Sequence, residues 1–433
     1  MERETVAQIV GTLTRWASLG RFGTKTVRRE VVKVIQGLLD EKTVRTGSHS
    51  QAKREVLREL GGYLGKRMGS GLAGLDQDDL LALSSLLSEA AVVRERQVEK
   101  DGRKALRVVV QARVSARGLN ERLRVMAGDK RHLDRIKASE QRTGELLAEF
   151  GELEREGLRL ASEGSAQEKK QFKTALKENV RHLEAQDWFQ KMQVLWTGKA
   201  FSDAKLAIDY INQAIKLVPD HAVYHFFRGN ANYYWKQHKL ALRDYDEAIR
   251  LNKDYADAFN NRGNTFMAQG EHKKALKEYS HAISLDRKEA AFFNNLANAH
   301  YHLGDFPAAL ENYAAALKLE PSNALYHNNR GSARHSSGEA KKAIKDYTRA
   351  LELDREFALA HFNRGISYHE LGQFSEAMAD YNNASRHDPR LAGAYYQRGR
   401  LLKQLGNEGA AQREWRKAAK MGHQQARQML DGK

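Results

Sequence analysis

The sequence predicts a mostly helical chain: an α-solenoid of paired antiparallel helices, preceded by a small α/β module with one β-hairpin and a charged helical connector. Three observations predict it. A 34-residue interval recurs six times between Ala222 and Gln425 without a gap. Only four prolines interrupt 433 residues, so long helices are allowed. Confident period-two alternation is confined to one stretch ahead of the repeats, and a period of 34 implies a stack of identical helical units.

Each unit carries small residues where two helices touch. Gly229, Gly263, Ala297, Gly331, Gly365 and Gly399 mark the first helix, and Ala241, Ala275, Ala309, Ala343, Ala377 and Ala411 the second. A further column runs from Ala248 to Ala418, and an aromatic column from Tyr245 to Trp415. Short loops such as Gly270-Glu271 separate the helices, and Pro219, Pro321 and Pro389 stop repeats at one common position. The pattern resembles the tetratricopeptide repeat. That resemblance implies a right-handed superhelix over residues 188–433, with one degenerate unit from Trp188 to His221, six clear ones and a capping helix.

Ahead of the repeats lie two expected segments, residues 1–118 and 119–187. Residues 1 to about 48 read as helical through Val31, Val32, Val34, Ile35, Leu38 and Leu39, with a break at Thr46-Gly47-Ser48. A helix from about Ser50 to Met68 and another from Asp76 to Glu89 follow, the latter with Asp76, Asp78 and Asp79 at its positive end. Ala91–Lys100 and Arg103–Val114 read as strands joined at Asp101-Gly102, a pair that supplies the positive φ angles of a type I′ turn. Leu119 to about Ala161 is charged and helical, weakened by Gly128, Gly144, Gly151 and Gly157, so a short coiled coil, a packing helix and a mobile arm all fit it. The order of helices, hairpin and repeats resembles a small α/β module of bacterial envelope-associated repeat proteins. That resemblance implies export, yet the first 20 residues, with Glu2 and Glu4, do not read as a signal peptide. A cytoplasmic location is therefore expected for the sequence as written, with the periplasm or envelope as the alternative.

Composition narrows the function classes. With no cysteine there is no disulfide, thiolate site or cysteine nucleophile. The net charge of +17 raises a nucleic-acid reading. Residues 1–200 hold 38 basic and 28 acidic side chains and the remainder 34 and 27, so the excess reads as diffuse. No phosphate loop follows Gly69–Gly74, and no serine sits in a nucleophile elbow. The expectation is a non-enzymatic scaffold or adaptor without cofactor or metal, whose partner is a protein or peptide. Self-association through the N-terminal part is a second expectation, and a nucleic-acid-associated protein is the alternative function.

The candidate binding residues sit on the first helices, which line the inner surface of such a stack. The fifth place of successive units holds Asn260, Asn294 and Asn328, and the sixth Asn261, Asn295, Asn329 and Asn363. The ninth holds Asn230, Asn264, Asn298 and Arg400, and the twelfth Tyr233, Tyr301, His335, His369 and Lys403. An asparagine can bond both the N–H and the C=O of an extended peptide, so a ladder of them could track a backbone. The superhelix of the O-linked N-acetylglucosamine transferase is similar in carrying asparagines along its inner face. The competing role for these residues is to bond a neighbouring helix. Basic residues for a clamp on a C-terminal carboxylate, as in chaperone-binding relatives, occur only at Arg400 and Lys403. Arg228, Arg262, Arg330, Arg364 and Arg398 recur at the seventh place and read as a repeated bond to the adjacent unit. His225, His327 and His361 share a packing column rather than a ligand set.

Overall fold

A computed structural model describes residues 25–68, 75–114, 132–197 and 200–431. The helix expected before residue 25, the Gly-Ser-Gly stop at 69–71 and the start of the charged stretch at 119–131 lie outside the described residues. The chain forms two compact units, residues 1–251 and 252–433.

The first unit begins with strand β1 (Lys25–Val34), helices α1 (Glu41–Met68) and α2 (Gln77–Leu87), and strands β2 (Glu89–Lys100) and β3 (Arg103–Val114). The strands form an antiparallel sheet in the order β1-β3-β2. Asp101 and Gly102 turn the hairpin with φ of 51° and 70°, the pair of positive angles that a type I′ turn demands. Two long helices follow, α3 (His132–Glu163) and α4 (Ala166–Gln193). Val27, Val31, Val108 and Val110 of the sheet share one core with Val56 and Leu60 of α1, Leu83 of α2, Phe150 of α3 and Leu176 of α4. The charged stretch is therefore a pair of packing helices, capped between them by Ser165, whose hydroxyl accepts from Glu168 N. Helix α4 continues across residue 187, and its last turns pack Phe189 and Met192 against α5 (Ala204–Leu217). Helices α6 (Ala222–Tyr234) and α7 (His238–Leu251) form the first clear repeat.

Two expectations for this region are corrected. Residues 25–34 are a strand, not a helix, so the module has three strands rather than a hairpin alone. The segment pairs with β3 along all ten residues, and its alternation of Val27 and Val31 inward with Arg28 and Glu30 outward serves that pairing. The expected break at Thr46-Gly47-Ser48 is the interior of α1. A Cβ at Gly47 would lie 2.2 Å from the Phe150 ring, so this glycine marks a close approach of α3 and not a helix end. Likewise Gly144 makes room for the Arg54 guanidinium and Gly157 for the Phe172 ring, and α3 runs unbroken through both.

The second unit is five more helix pairs and a cap: α8 (Ala256–Ala268) with α9 (His272–Leu285), α10 (Ala290–His302) with α11 (Phe306–Leu319), and α12 (Ala324–Ser336) with α13 (Ala340–Leu353). Then come α14 (Ala358–Glu370) with α15 (Phe374–His387), α16 (Ala392–Gln404) with α17 (Glu408–Lys420), and α18 (Gln424–Leu430). The small-residue column has a single cause. A Cβ at Gly263, Gly331 or Gly365 would approach the ring of Tyr279, Tyr347 or Tyr381 to 2.7–2.8 Å, and at Gly399 the Trp415 ring to 2.4 Å. Each first helix thus lies on the aromatic ring of its own partner helix. In α18 the polar Gln424, Gln425, Arg427 and Gln428 face water while Ala426 is buried, the division a capping helix needs. Among the described residues no helix is long and apolar enough to cross a membrane.

Candidate peptide-binding surface of the repeats

The asparagines at the fifth and sixth places form one continuous relay through the second unit. Asn260 Nδ2 donates to Asn261 Oδ1 (3.0 Å), and Asn260 Oδ1 accepts from Asn295 Nδ2 of the next pair (2.9 Å). Asn294 Nδ2 donates to Asn295 Oδ1 (3.4 Å), and Asn294 Oδ1 accepts from Asn329 Nδ2 (3.0 Å). Asn328 Nδ2 donates to Asn329 Oδ1 (3.4 Å), and Asn328 Oδ1 accepts from Asn363 Nδ2 (3.1 Å). Asn260, Asn294 and Asn328 are 5–7% exposed. Their carbonyl oxygens are occupied by the neighbouring repeat, as a buried amide requires.

The ninth place bonds within its own unit. Asn264 and Asn298 accept from the hydroxyls of Tyr279 (2.8 Å) and Tyr313 (2.6 Å), and in the first unit Asn230 accepts from Tyr245 (2.8 Å). Burial raises the pKa of Tyr245 and of Tyr313, so each ring stays a neutral donor. The twelfth place links successive first helices: Tyr301 Oη lies 3.1 Å from Ser336 Oγ, His335 Nδ1 2.9 Å from Ser367 Oγ, and His369 Nε2 2.8 Å from Gln404 Oε1. Tyr301, Ser332, His335, Asn363 and Ile366 together line a small depression that crosses three consecutive pairs. Arg400 and Lys403 are exposed, Arg400 donating to Gln397 Oε1 (3.1 Å) and Lys403 Nζ standing 5.7 Å from the Trp415 ring centroid. Tyr233, in the first unit, is half-buried with its pKa raised by burial.

The seventh-place arginines are structural, and their main partner differs from the expected adjacent unit. Each pairs with an acid sixteen residues on, in the second helix of its own unit: Arg228 with Asp244 (2.6 Å), Arg262 with Glu278 (2.7 Å), Arg330 with Asp346 (2.7 Å), Arg364 with Asp380 (2.7 Å) and Arg398 with Glu414. A remaining Nη of Arg228, Arg364 and Arg398 reaches back to the preceding second helix, at Asn212, Thr348 and Asn382. Burial raises the Asp380 pKa, but the bonds from Arg364 and His361 outweigh it and hold the carboxyl below the usual 3.8. The unit without the arginine also lacks the acid, with Leu296 and Asn312 at the two places. That joint loss was readable in the sequence. So was the Asn-Asn doublet at 260–261, 294–295 and 328–329, which announces the relay. The histidine column clamps the turn between repeats: His225 Nε2 lies 2.7 Å from Pro219 O, His327 Nε2 2.9 Å from Pro321 O and His361 Nε2 3.2 Å from Arg355 O.

Family models match the repeats. A TPR repeat family model matches residues 229–270, 263–304, 298–338, 331–372 and 365–406, and a tetratricopeptide repeat model matches 392–421. No curated protein matches significantly. Among solved structures, a tetratricopeptide repeat protein from Parabacteroides merdae is similar at 15% identity, covering 59% of this chain and 98% of its own, with a TM-score of 0.47. Pseudomonas aeruginosa pilF is similar at 17% identity over 49% of this chain and 96% of its own (TM-score 0.44). YrrB, described as a TPR protein with an unusual peptide-binding site, is 23% identical over 44% of this chain and 98% of its own (TM-score 0.35). Residues 229–421 of this chain are a run of tetratricopeptide repeats.

Proposed function

We propose that the chain is a non-enzymatic interaction scaffold whose repeats hold an extended segment of a partner protein along the first helices of residues 252–433. The observation that carries this reading is the depression crossing three helix pairs, lined by side chains from the sixth, ninth and twelfth places. Such a row offers a partner segment hydroxyl, amide, imidazole and apolar contacts in succession, the mix that binds a main chain without demanding one sequence.

In this reading the residues that touch the partner are Asn298, Tyr301, Ser332, His335 and Ile366. Asn260, Asn294 and Asn328 act from behind, since their oxygens are engaged by Asn295, Asn329 and Asn363. Each exposed polar contact exchanges water for peptide, so a single alanine substitution at Asn298 or His335 weakens binding by about 0.5–1.5 kcal/mol. Capture of partners on the purified full chain, followed by mass spectrometry and titration of the recovered segment, supplies the measurement. Binding through amides and hydroxyls changes little between 50 and 200 mM salt, whereas phosphate binding weakens steeply over about that range. A captured partner whose affinity ignores the His335→Ala and Asn298→Ala substitutions would sink the reading.

A further inference from the structure

We propose that the face of the N-terminal sheet turned away from the core of the described residues binds double-stranded DNA through a cluster of arginines. The register fixes the cluster. Arg28 of β1 stands opposite Gln111 of β3, Arg94 of β2 opposite Val109, and Arg96 opposite Arg107, with Arg113 one step along β3. The three pairs and Arg113 lie on the side away from the core, because Val27, Val31, Val108, Val110 and Ala112 occupy the alternate, buried positions.

A β-bulge between Val92 and Arg94 creates this arrangement. Val92 faces the core opposite Val110. Strict alternation from there would send Arg94 and Arg96 inward and Glu95 outward. The extra residue at Val93 reverses the phase. Glu95 and Gln97 turn to the helix side, where Glu95 meets Arg45 (2.7 Å) and His49 (2.5 Å) and Gln97 donates to Glu41 (2.7 Å). The arginines turn to solvent. Among the described side chains of this face the acid is Glu30, 3.4 Å from Arg107 Nε, and Arg28 donates to Gln111 (2.7 Å). Arg94, Arg96 and Arg113 are exposed and have no hydrogen bond or ion pair among the described residues. The basic excess, diffuse along the sequence, is thus concentrated in space.

Five arginines against two acids, Glu30 and Glu89 (opposite Arg113 in the register), leave this face with an excess of positive charge complementary to a polyanion. Among the described residues the face offers Val32, Val109 and Gln111 between the arginines and no aromatic ring, the stacking platform that single strands need. Guanidinium forks bind phosphate and the guanine edge bidentately. The major groove of B-form DNA, about 12 Å wide, admits a two-stranded ribbon such as β2–β3, whereas the deep, narrow major groove of duplex RNA does not.

The test measures binding of the full chain to a labelled duplex DNA of mixed sequence across a salt series. Five phosphate contacts give a slope of log K against log salt of about −4.5, or roughly a 500-fold loss between 50 and 200 mM. The variant with Arg94→Ser, Arg96→Ser and Arg107→Ser brings the slope to about −1.8. Lysine at the same three positions retains the steeper slope and guards against loss through misfolding, which circular dichroism checks directly. No binding to duplex DNA, an unchanged slope in the serine variant, or equal affinity for single-stranded DNA or duplex RNA overturns the proposal. So does arginine-dependent binding confined to vesicles containing phosphatidylserine.

Discussion

Replacing Asn260, Asn294 and Asn328 together by alanine tests what the repeat face is for. Each substitution removes an acceptor from the next repeat: Asn295, Asn329 and Asn363 lose bonds of 2.9, 3.0 and 3.1 Å. A lost bond of this kind costs about 1 kcal/mol, and a half-buried donor left without an acceptor raises that to roughly 2. Three sites then sum to about 3–6 kcal/mol. The relay shares members, since Asn295 bonds both Asn260 and Asn294, so re-pairing brings the sum toward the lower figure. For a domain of this size 1 kcal/mol shifts the midpoint by about 2–4 °C, which places the fall in Tm on the order of 10 °C. Urea unfolding of the full chain, followed by circular dichroism, reads it as a lower midpoint at unchanged slope. Affinity for a captured partner, measured well below the new midpoint, should be nearly intact. An unchanged midpoint with lost affinity would mean these amides face the partner, and the reasoning would fail.

Three further outcomes are expected. Gly102→Val forces a β-branched residue to φ near 70° and costs about 1–2 kcal/mol or more, so limited proteolysis should cut residues 1–251 faster while 252–433 resists as before; equal acceleration would argue against separate folding. Lys236, at φ 63°, stands where later repeats place Gly270, Gly304, Gly338, Gly372 and Gly406, so Lys236→Gly should stabilise by up to about 1 kcal/mol, and a loss of stability would show that unfolded-state entropy dominates. His221 is pushed down to about 4, first by burial and then by the charge of His182 and Arg142. The unfolded chain therefore takes up this proton first, and stability falls as pH drops from about 6.5 toward 4. His221→Phe should flatten that dependence in urea midpoints, and a gap between wild type and variant that stays constant with pH would refute the assignment.

The repeats were legible because their cause is local and repeated. A glycine column facing an aromatic column is a steric requirement written into every unit, as at Gly331 and Tyr347. The N-terminal module was harder for a physical reason. Val31, Val32 and Val34 form an apolar run that suits a helix or a strand, and pairing with Val108 and Arg107 some 75 residues later decides between them. Gly47 reads as a breaker until Phe150 arrives against it. The bulge at Val93 is invisible for the same reason, since its effect is on pairing. At the candidate site the residue types were legible and their partners were not. An asparagine's recurrence from unit to unit does not say whether its amide meets a ligand or the next helix.

That ambiguity yields to an accounting of hydrogen-bond capacity. A side chain whose donors and acceptors are used inside the fold has little left for a partner. The seventh-place arginines, present in five of six units, are so used and hold their acids, and where the fifth place is asparagine, in three of six units, it holds the sixth-place amide of the next unit. The twelfth place varies most in kind, with Tyr301, His335 and His369 following one another, and each of these spends one bond on the next first helix and keeps its ring edge toward the surface beside Ser332 and Ile366. Structural demands are identical in every repeat and select identical residues. A bound segment presents a different side chain to each repeat and calls for different ones. A varied column such as the twelfth is therefore where a substitution should be read in partner affinity, and a nearly constant one such as the seventh where it should be read in stability.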